Sequence, residues 1–339
     1  MPFASLSKPD AQARESETLA CASGLEKPPS VSGSRHRMTL MSDTNSAEGL
    51  LVLDKPLGIT SRKAVDLAGR WFGRGARIGH TGTLDPLATG VLVVCLGRAT
   101  RLAEYVQDMR KVYTSVFRLG ATSETDDAEG TITESPGAAD PGLVAVTAAL
   151  GRFVGTVEQV PPAFSAAHVS GRRAHRLARA GKEVVLAPRP VHIHGIDVRR
   201  YAYPDLEVEV RCGKGTYIRS LARDLGVALG CGAYVLALRR ESVGPFAVEK
   251  AVALDADAAT IRASLLPAGL ALGNLPRLIL GERRAARFRM GQKLEIPEEL
   301  AGRTGEVGVF DEAGELVAVG VLDTERGLLR PDKVFAKTD

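Results

Sequence analysis

The residues best suited to chemistry lie in one turn-rich stretch, Gly79 to Gly90, with the sequence GHTGTLDPLATG. Three glycines, a proline and three threonines in twelve residues predict a folded loop. Asp85 lies near its centre, and Pro86 stiffens the backbone that carries it. The apolar run 91–96 predicts a buried strand that anchors the loop. A carboxylate held in this way suits a nucleophile, although an Asp-Pro turn that only caps backbone N–H groups is the alternative.

Two glycine-rich patterns partly resemble nucleotide-binding motifs, and neither has the required spacing. The glycines at 73, 75 and 79 have the spacing GxGxxxG with no strand before them, which differs from a dinucleotide-binding turn. The segment 213–216, GKGT, resembles the end of a P-loop, but the required glycine five places earlier is Val208. We therefore expect no nucleotide cofactor.

The cysteines and histidines predict no metal site. The four cysteines are scattered without a CxxC pair, and His192 and His194 alternate in a predicted strand with no ligand set nearby. Free cysteines without a disulfide pattern favour a reducing compartment, and we expect a cytoplasmic protein.

Length and composition are those of a soluble globular chain. The 339 residues permit two domains, and there is no apolar run of about 18 residues that would predict a membrane span. The net charge of +4 permits a nucleic-acid partner but does not require one. Residues 1–46 lack apolar periodicity, so we expect a disordered extension, with Met38 and Met41 as alternative starts.

Regular elements predicted around the loop would position it. A strand at 49–54 is followed by Ser61, which we expect to cap a helix over 62–72. Alternating residues predict strands at 112–119 and 206–212, and the segment after 216 turns into an amphipathic helix. The acidic stretch 122–130 is predicted to be a solvated turn. The segment 168–179 contains four arginines and no acid, which favours a phosphate-contacting surface over a solvated face.

The chain changes character near residue 273. Predicted strands at 276–280, 306–310 and 315–322 surround a basic segment, 283–289, and indicate a small β-rich barrel. We therefore expect a catalytic domain over 47–272 and a second domain over 273–337.

Six motifs in order resemble the bacterial tRNA pseudouridine-55 synthases, the TruB family. Besides the Asp85 loop, they are GLLVLDKP with GITS (49–61), KVY (111–113), PPAFSA (161–166), KGTYIR (214–219) and LRR (238–240). The resemblance implies an α+β pseudouridine synthase fold, with a central mixed, largely antiparallel sheet flanked by helices. It also implies that the last domain is PUA-like and binds RNA, although that part of the sequence matches weakly.

The resemblance also implies roles for individual residues. Asp85 would be the nucleophile, paired with Arg219, and Tyr113 would contact the base and, with a water as the alternative, accept its C5 proton. His80 would fill the space left by an extruded base. Tyr217 would stack on the base, and Leu238 would form a wall of the pocket. Lys55 would hold the strand that carries it and would contact a phosphate. Arg172 and Arg173, in the basic segment, are the remaining predicted substrate contacts.

The implied activity is isomerisation of uridine 55 in the tRNA T-loop by base flipping, with the T-arm stem-loop as partner. The reaction needs no cofactor or metal, and we expect a monomer. Two positions depart from the family pattern, His168 and His175, so RNA contacts there are expected to differ.

Two other classes of function compete with this interpretation. A non-catalytic RNA-binding protein would share the basic segments but would not need Asp85 and Arg219 together with two tyrosines. A glycoside hydrolase would need two paired carboxylates, and the loop contains one.

Overall fold

A ten-stranded mixed sheet carries the Asp85 loop, and a second, five-stranded sheet follows it along the chain. The computed structural model describes residues 47–73, 75–165, 168–169, 172–173 and 186–336; the expected disordered extension, 1–46, lies outside them.

The strands in the described part of the chain are β1 (Gly49–Lys55), β2 (Ile78–His80), β3 (Ala88–Leu96), β4 (Lys111–Leu119), β5 (Ala121–Ser123), β6 (Ile132–Glu134), β7 (Gly155–Gln159), β8 (His168–Val169), β9 (Arg172–Arg173), β10 (Arg189–Ala202), β11 (Asp205–Cys212), β12 (Ala233–Val243), β13 (Phe246–Ala247), β14 (Val252–Ala253), β15 (Arg277–Leu280), β16 (Leu294–Glu295), β17 (Gly305–Asp311), β18 (Leu316–Asp323) and β19 (Leu328–Val334). The α-helices of the described residues are α1 (Ser61–Gly69), α2 (Ala103–Asp108), α3 (Gly142–Gly151), α4 (Ile218–Leu229), α5 (Ala258–Ala263) and α6 (Glu282–Arg289).

The large sheet has the strand order β14-β1-β3-β12-β4-β11-β10-β7, with β2 added to β3 and β13 to β12. The β1–β14 and β3–β12 pairs are parallel and the others are antiparallel. This confirms the expected mixed, largely antiparallel sheet. Gly90 lets β3 approach β12 closely, because a Cβ at its φ of +96° would lie 2.3 Å from the Arg240 carbonyl oxygen.

Strands β1 and β3 are buried on both faces, which explains their unbroken apolar sequences. On one face Leu51 and Leu92 pack against α1. On the other, Val52 and Val91 share a cluster with Phe310 and other residues of the second sheet. The large sheet and the C-terminal sheet therefore share part of a core.

The C-terminal sheet has the strand order β15-β17-β18-β19-β16 and forms a curled half-barrel, in agreement with the small β-rich barrel predicted from the sequence. Helix α6 packs on it through Ala285 and Phe288. These two side chains face inward, whereas the arginines at 283, 284 and 287 are exposed.

The first predicted helix begins and ends elsewhere in the structure. The helix predicted over 62–72 is α1 followed by a short 3₁₀ turn, Arg70–Phe72. Its N-cap is Thr60, whose hydroxyl accepts from the Lys63 amide at 3.1 Å, so the prediction that Ser61 caps it was wrong.

Candidate active site

Ser61 fixes the Asp85 loop to the start of α1. Its buried hydroxyl donates to the Leu84 carbonyl at 2.9 Å and accepts from the Leu84 amide at 2.7 Å. Within the loop, the Ala88 amide donates to the Asp85 carbonyl at 3.1 Å. The residue before the carboxylate and the carboxylate's own backbone are thus both held, as positioning a reacting group requires.

Lys55, at the end of β1, hydrogen-bonds to the Asp85 loop. Its side chain is fully buried, and its ammonium donates to the carbonyls of Ile59 at 2.8 Å, Pro56 at 2.9 Å and Pro86 at 3.4 Å. Burial lowers the pKa of Lys55 to about 8, and the charge of Asp85 opposes that shift. The expected phosphate contact of Lys55 does not fit this structure, because the ammonium is enclosed and faces backbone carbonyls. These contacts favour a positioning role for Lys55.

Arg219 lies between two carboxylates. Its Nη2 is 2.9 Å from Asp85 Oδ2, and its Nη1 is 3.2 Å from Asp127 Oδ2. The same two nitrogens donate to the carbonyls of Phe164 at 3.0 Å and Thr125 at 2.9 Å. Only 4% of the Arg219 side chain and 2% of the Asp127 side chain are exposed, against 33% for Asp85. The pairing of Asp85 with Arg219 was expected, and the second carboxylate was not.

The stretch 122–130 is therefore more than the solvated turn predicted from its acidic residues. Its end is attached to β12, because the Ala128 amide donates to the Val235 carbonyl at 3.0 Å and the Val235 amide donates to the Asp126 carbonyl at 3.0 Å. The Asp127 carboxylate also accepts from the Thr125 hydroxyl at 2.5 Å and the Glu129 amide at 3.0 Å. These bonds offset the cost of burying its charge.

The pKa of Asp85 is raised above its ordinary value. Burial is the main cause, the Arg219 guanidinium opposes it, and the nearby charge of Asp127 adds to the rise. A partly dehydrated carboxylate with one open side is a stronger nucleophile than a fully hydrated one.

A cavity of about 340 Å³ opens over Asp85. Its volume lies in the range of small-ligand sites. Six of the residues predicted for the site line it, namely His80, Asp85, Tyr113, Tyr217, Arg219 and Leu238. Among the described residues that line it, Asp85 is the single carboxylate.

Strand register places Tyr113 and Leu238 on the cavity wall. The buried side of β4 begins with Lys111 and Tyr113, at the end of the strand where the core gives way to the cavity. Leu238 of β12 lies opposite Ser115 of β4, and Arg240 lies opposite Tyr113. Burial raises the pKa of Tyr113, and a hydrogen bond from Arg240 opposes that rise.

Arg240 is the last residue of the LRR motif at 238–240, but the sequence analysis assigned it no role. It is 2% exposed, and it donates to the carbonyls of Val91 at 2.7 Å and Gly82 at 3.2 Å. It thus ties both ends of the Asp85 loop to β12. The usable signal was an arginine at an inward position of an alternating strand, because arginine is almost never fully buried without a partner.

Tyr217 forms another part of the cavity wall. Tyr217 immediately precedes α4, and its backbone amide and carbonyl both bond to the buried Gln159 side chain, at 2.8 and 3.0 Å. The ring is therefore held at the start of the helix that carries Arg219.

The expected phosphate surface around Arg172 and Arg173 is only partly described. Strands β8 and β9 pair as a two-stranded hairpin, with His168 opposite Arg173. The side chains of both arginines, and most of 168–179, lie outside the described residues, so this site stays a prediction.

No group of three potential metal ligands occurs among the residues that the structure describes. In the same part of the chain, no helix is long and apolar enough to cross a membrane.

Comparison with known proteins gives matches over most of the chain. The TruB family pseudouridylate synthase N-terminal domain matches residues 70–218, and the tRNA pseudouridylate synthase B C-terminal domain matches residues 219–269. A protein named tRNA pseudouridine synthase B from Xanthomonas axonopodis pv. citri is 41% identical over 293 residues, covering 85% of this chain and 94% of the relative. One of the same name from Thiobacillus denitrificans is 42% identical over 299 residues, covering 86% and 97%.

Solved structures with the same fold include a chain of an H/ACA RNP bound to a substrate RNA containing 2′-deoxyuridine. It has a TM-score of 0.66 and 25% identity, and the match covers 86% of each chain. A chain of the archaeal box H/ACA sRNP Nop10–Cbf5 complex has a TM-score of 0.64 and 26% identity, covering 86% of this chain and 87% of the other. The large sheet thus has the pseudouridine synthase fold, and the C-terminal sheet is consistent with a PUA-like domain. On the extent of these matches, the chain belongs to the TruB family of pseudouridine synthases.

Proposed function

We propose that this protein converts a uridine of tRNA to pseudouridine, at position 55 in the T-loop, with Asp85 as the nucleophile. The observation that carries the proposal is the partly open Asp85 carboxylate, bound to the buried Arg219 beneath a cavity walled by Tyr113. The relatives that match most of the chain are named tRNA pseudouridine synthase B.

The chemistry is an isomerisation without oxidation or reduction. The N1–C1′ bond of uridine breaks, the base turns, and a bond forms between C5 and C1′. The proton on C5 is lost, and N1 regains one. Asp85 supplies a transient covalent bond to the nucleotide, and Arg219 holds the carboxylate in place for attack.

The Tyr113 phenol is protonated at neutral pH, because its pKa is ordinarily near 10 and burial raises it further. A neutral phenol is a poor final acceptor for the C5 proton. We therefore assign that proton to a water, with the Tyr113 oxygen as a relay, and assign the ring to contact with the base.

A uridine inside a folded T-loop has to leave its stack to reach Asp85. Extrusion costs a few kcal/mol, and stacking on an aromatic ring returns about 1–3 kcal/mol. Tyr113 and Tyr217 line the cavity and are suited to this contact, with Leu238 as a further wall. His80 lies at the end of β2, where it would fill the space that the base leaves.

Glycoside hydrolysis is disfavoured by the position of the second carboxylate. Hydrolases of this kind need two carboxylates that both reach the sugar. Asp127 is only 2% exposed, binds a different nitrogen of Arg219 from Asp85, and does not line the cavity.

The test is tritium release from tRNA labelled at C5 of uridine, with a transcript that has cytidine at position 55 as the substrate control. Wild-type protein should release tritium from the first RNA and none from position 55 of the second. Asp85→Asn should bind tRNA but lose more than about a thousandfold in rate, because the amide cannot form the covalent bond. Asp66→Asn, at an exposed ion pair of α1, is the matched control and should retain full activity.

A further inference from the structure

Arg189 occupies the rim of the cavity and has no role in the chemistry described above. It is the first residue of β10 and lies opposite Gln159 of β7. Its Cζ is 5.0 Å from the centre of the Tyr217 ring, and its Nη2 donates to the Gly215 carbonyl at 2.8 Å. The guanidinium is thus stacked on a predicted base contact and anchored to the turn before α4.

Clamping Tyr217 does not by itself account for this arginine. Gln159 already binds both the amide and the carbonyl of Tyr217. The guanidinium has five N–H donors, and the structure commits one of them to Gly215.

Among the described residues, the charge of Arg189 also has no opposite charge to pair with. Other arginines of this sheet, including Arg199, Arg211 and Arg239, form ion pairs with carboxylates. No described residue forms an ion pair with Arg189. A stacked guanidinium with free donors and no acidic partner is suited to binding an anion in its own plane.

The substrate brings such an anion to this place. An extruded uridine carries a phosphate on each side, and when its base enters the cavity these phosphates remain at the mouth. We propose that Arg189 binds one of the two backbone phosphates that flank the extruded uridine, while its stacking keeps Tyr217 against the base. The proposal rests on the proposed function, since it takes a flipped uridine of RNA as the ligand.

The test is a double-mutant cycle between protein and RNA. T-arm stem-loops would be made with a neutral methylphosphonate in place of the phosphate before, or the phosphate after, the target uridine. Wild type, Arg189→Ala and Arg189→Lys would be compared on all three RNAs by Kd and by single-turnover rate. Arg199→Ala, on the same strand but outside the cavity, removes an arginine of the ordinary paired kind and is the matched control.

We expect Arg189→Ala to raise Kd for the unmodified stem-loop about tenfold. One methylphosphonate should raise the wild-type Kd by a similar factor and should leave the Kd of Arg189→Ala nearly unchanged, because the contact is already lost. Arg189→Lys should fall between them, since it keeps the charge without the planar donors. Arg199→Ala should behave as wild type on every RNA.

The proposal would be overturned if, at both phosphates, the Kd increase caused by the methylphosphonate were as large in Arg189→Ala and Arg189→Lys as in the wild type. The arginine and the phosphate would then act independently. A fall in rate with Kd unchanged would also overturn it, because Arg189 would then be a support for Tyr217 alone. If Arg189→Ala fails to fold, the coupling measured with Arg189→Lys decides. Failure of the proposed function looks different, because the wild type would then release no tritium from the unmodified stem-loop.

Discussion

Asp127 and Asp85 bind different nitrogens of the Arg219 guanidinium, with Asp127 Oδ2 3.2 Å from Nη1 and Asp85 Oδ2 2.9 Å from Nη2. Asp127 does not line the cavity, so we expect no contact between it and a bound substrate. Its charge still acts on Asp85, through Arg219 and by direct electrostatic repulsion. We therefore expect Asp127 to act as a positioning residue, whose removal affects turnover and spares substrate binding.

We expect Asp127→Asn to lower the single-turnover rate about tenfold to a hundredfold, because Arg219 loses one of the two charges that orient it. The Kd for tRNA should change less than about threefold. Asp126→Asn is the matched control: Asp126 pairs with Arg223 at 3.0 Å, and asparagine tolerates its φ of +60°. Equal losses in the two variants would contradict the role given to Asp127.

The raised pKa of Asp85 predicts the acid side of the pH profile. The nucleophile must be ionised, and burial makes ionisation harder, so activity should be lost as pH falls through an apparent pKa above 3.8. The charge of Asp127 contributes to the rise, so Asp127→Asn should move the acid limb to lower pH. Single-turnover rates with saturating tRNA would show this, with melting curves at each pH to confirm folding. A limb at or below 3.8 would refute the prediction.

Removing the C-terminal sheet should destabilise the catalytic part. Phe310, Val319 and Phe335 share a core cluster with Val52 and Val91. Truncation after Gly273 would expose that face of β1 and β3, and losing even one such aromatic costs about 3–5 kcal/mol. We expect the melting temperature to fall by more than about 10 °C, measured by calorimetry. An unchanged melting temperature would show that the cluster contributes little.

The RNA-docking role of the C-terminal domain, with its boundary proposed near 272, is better tested on its surface. The exposed arginines of α6, at 283, 284 and 287, do not contribute to the core. Replacing all three with alanine should raise KM for whole tRNA and leave kcat nearly unchanged, because the contact is remote from the reacting uridine. An isolated T-arm stem-loop should show neither change, and a fall in kcat would contradict the docking role.

Charge reversal of Arg172 and Arg173 together tests the basic segment. If the two arginines contact phosphates, binding to tRNA should weaken and its dependence on salt should become shallower, because fewer counterions are released. Kd measured at several salt concentrations would show the slope. A slope equal to that of the wild type would identify this segment as a solvated face.

The sequence by itself determined the features that depend on neighbouring residues. Turn-forming residues predicted the loop around Asp85, and period-two alternation predicted β4 and β11, whose observed bounds differ by a residue from those predicted. These signals are local, since a turn or a strand face is specified within about ten residues. The resemblance to a family then indicated which carboxylate in the chain to examine.

Only the tertiary structure decided how distant residues meet. Arg219 and Thr125, 94 residues apart, bond to each other, and the same fold buries Asp127 beside them. In the sequence alone, the acidic residues of 122–130 have the same pattern as a solvated turn. The burial of Asp127 was therefore not predicted. The phosphate contact expected for Lys55 failed for a related reason, since a lysine at the end of a strand can point to solvent or to a ring of carbonyls. Whether a charged group is buried and paired depends on strand register and packing across the sheet, and no local pattern encodes that.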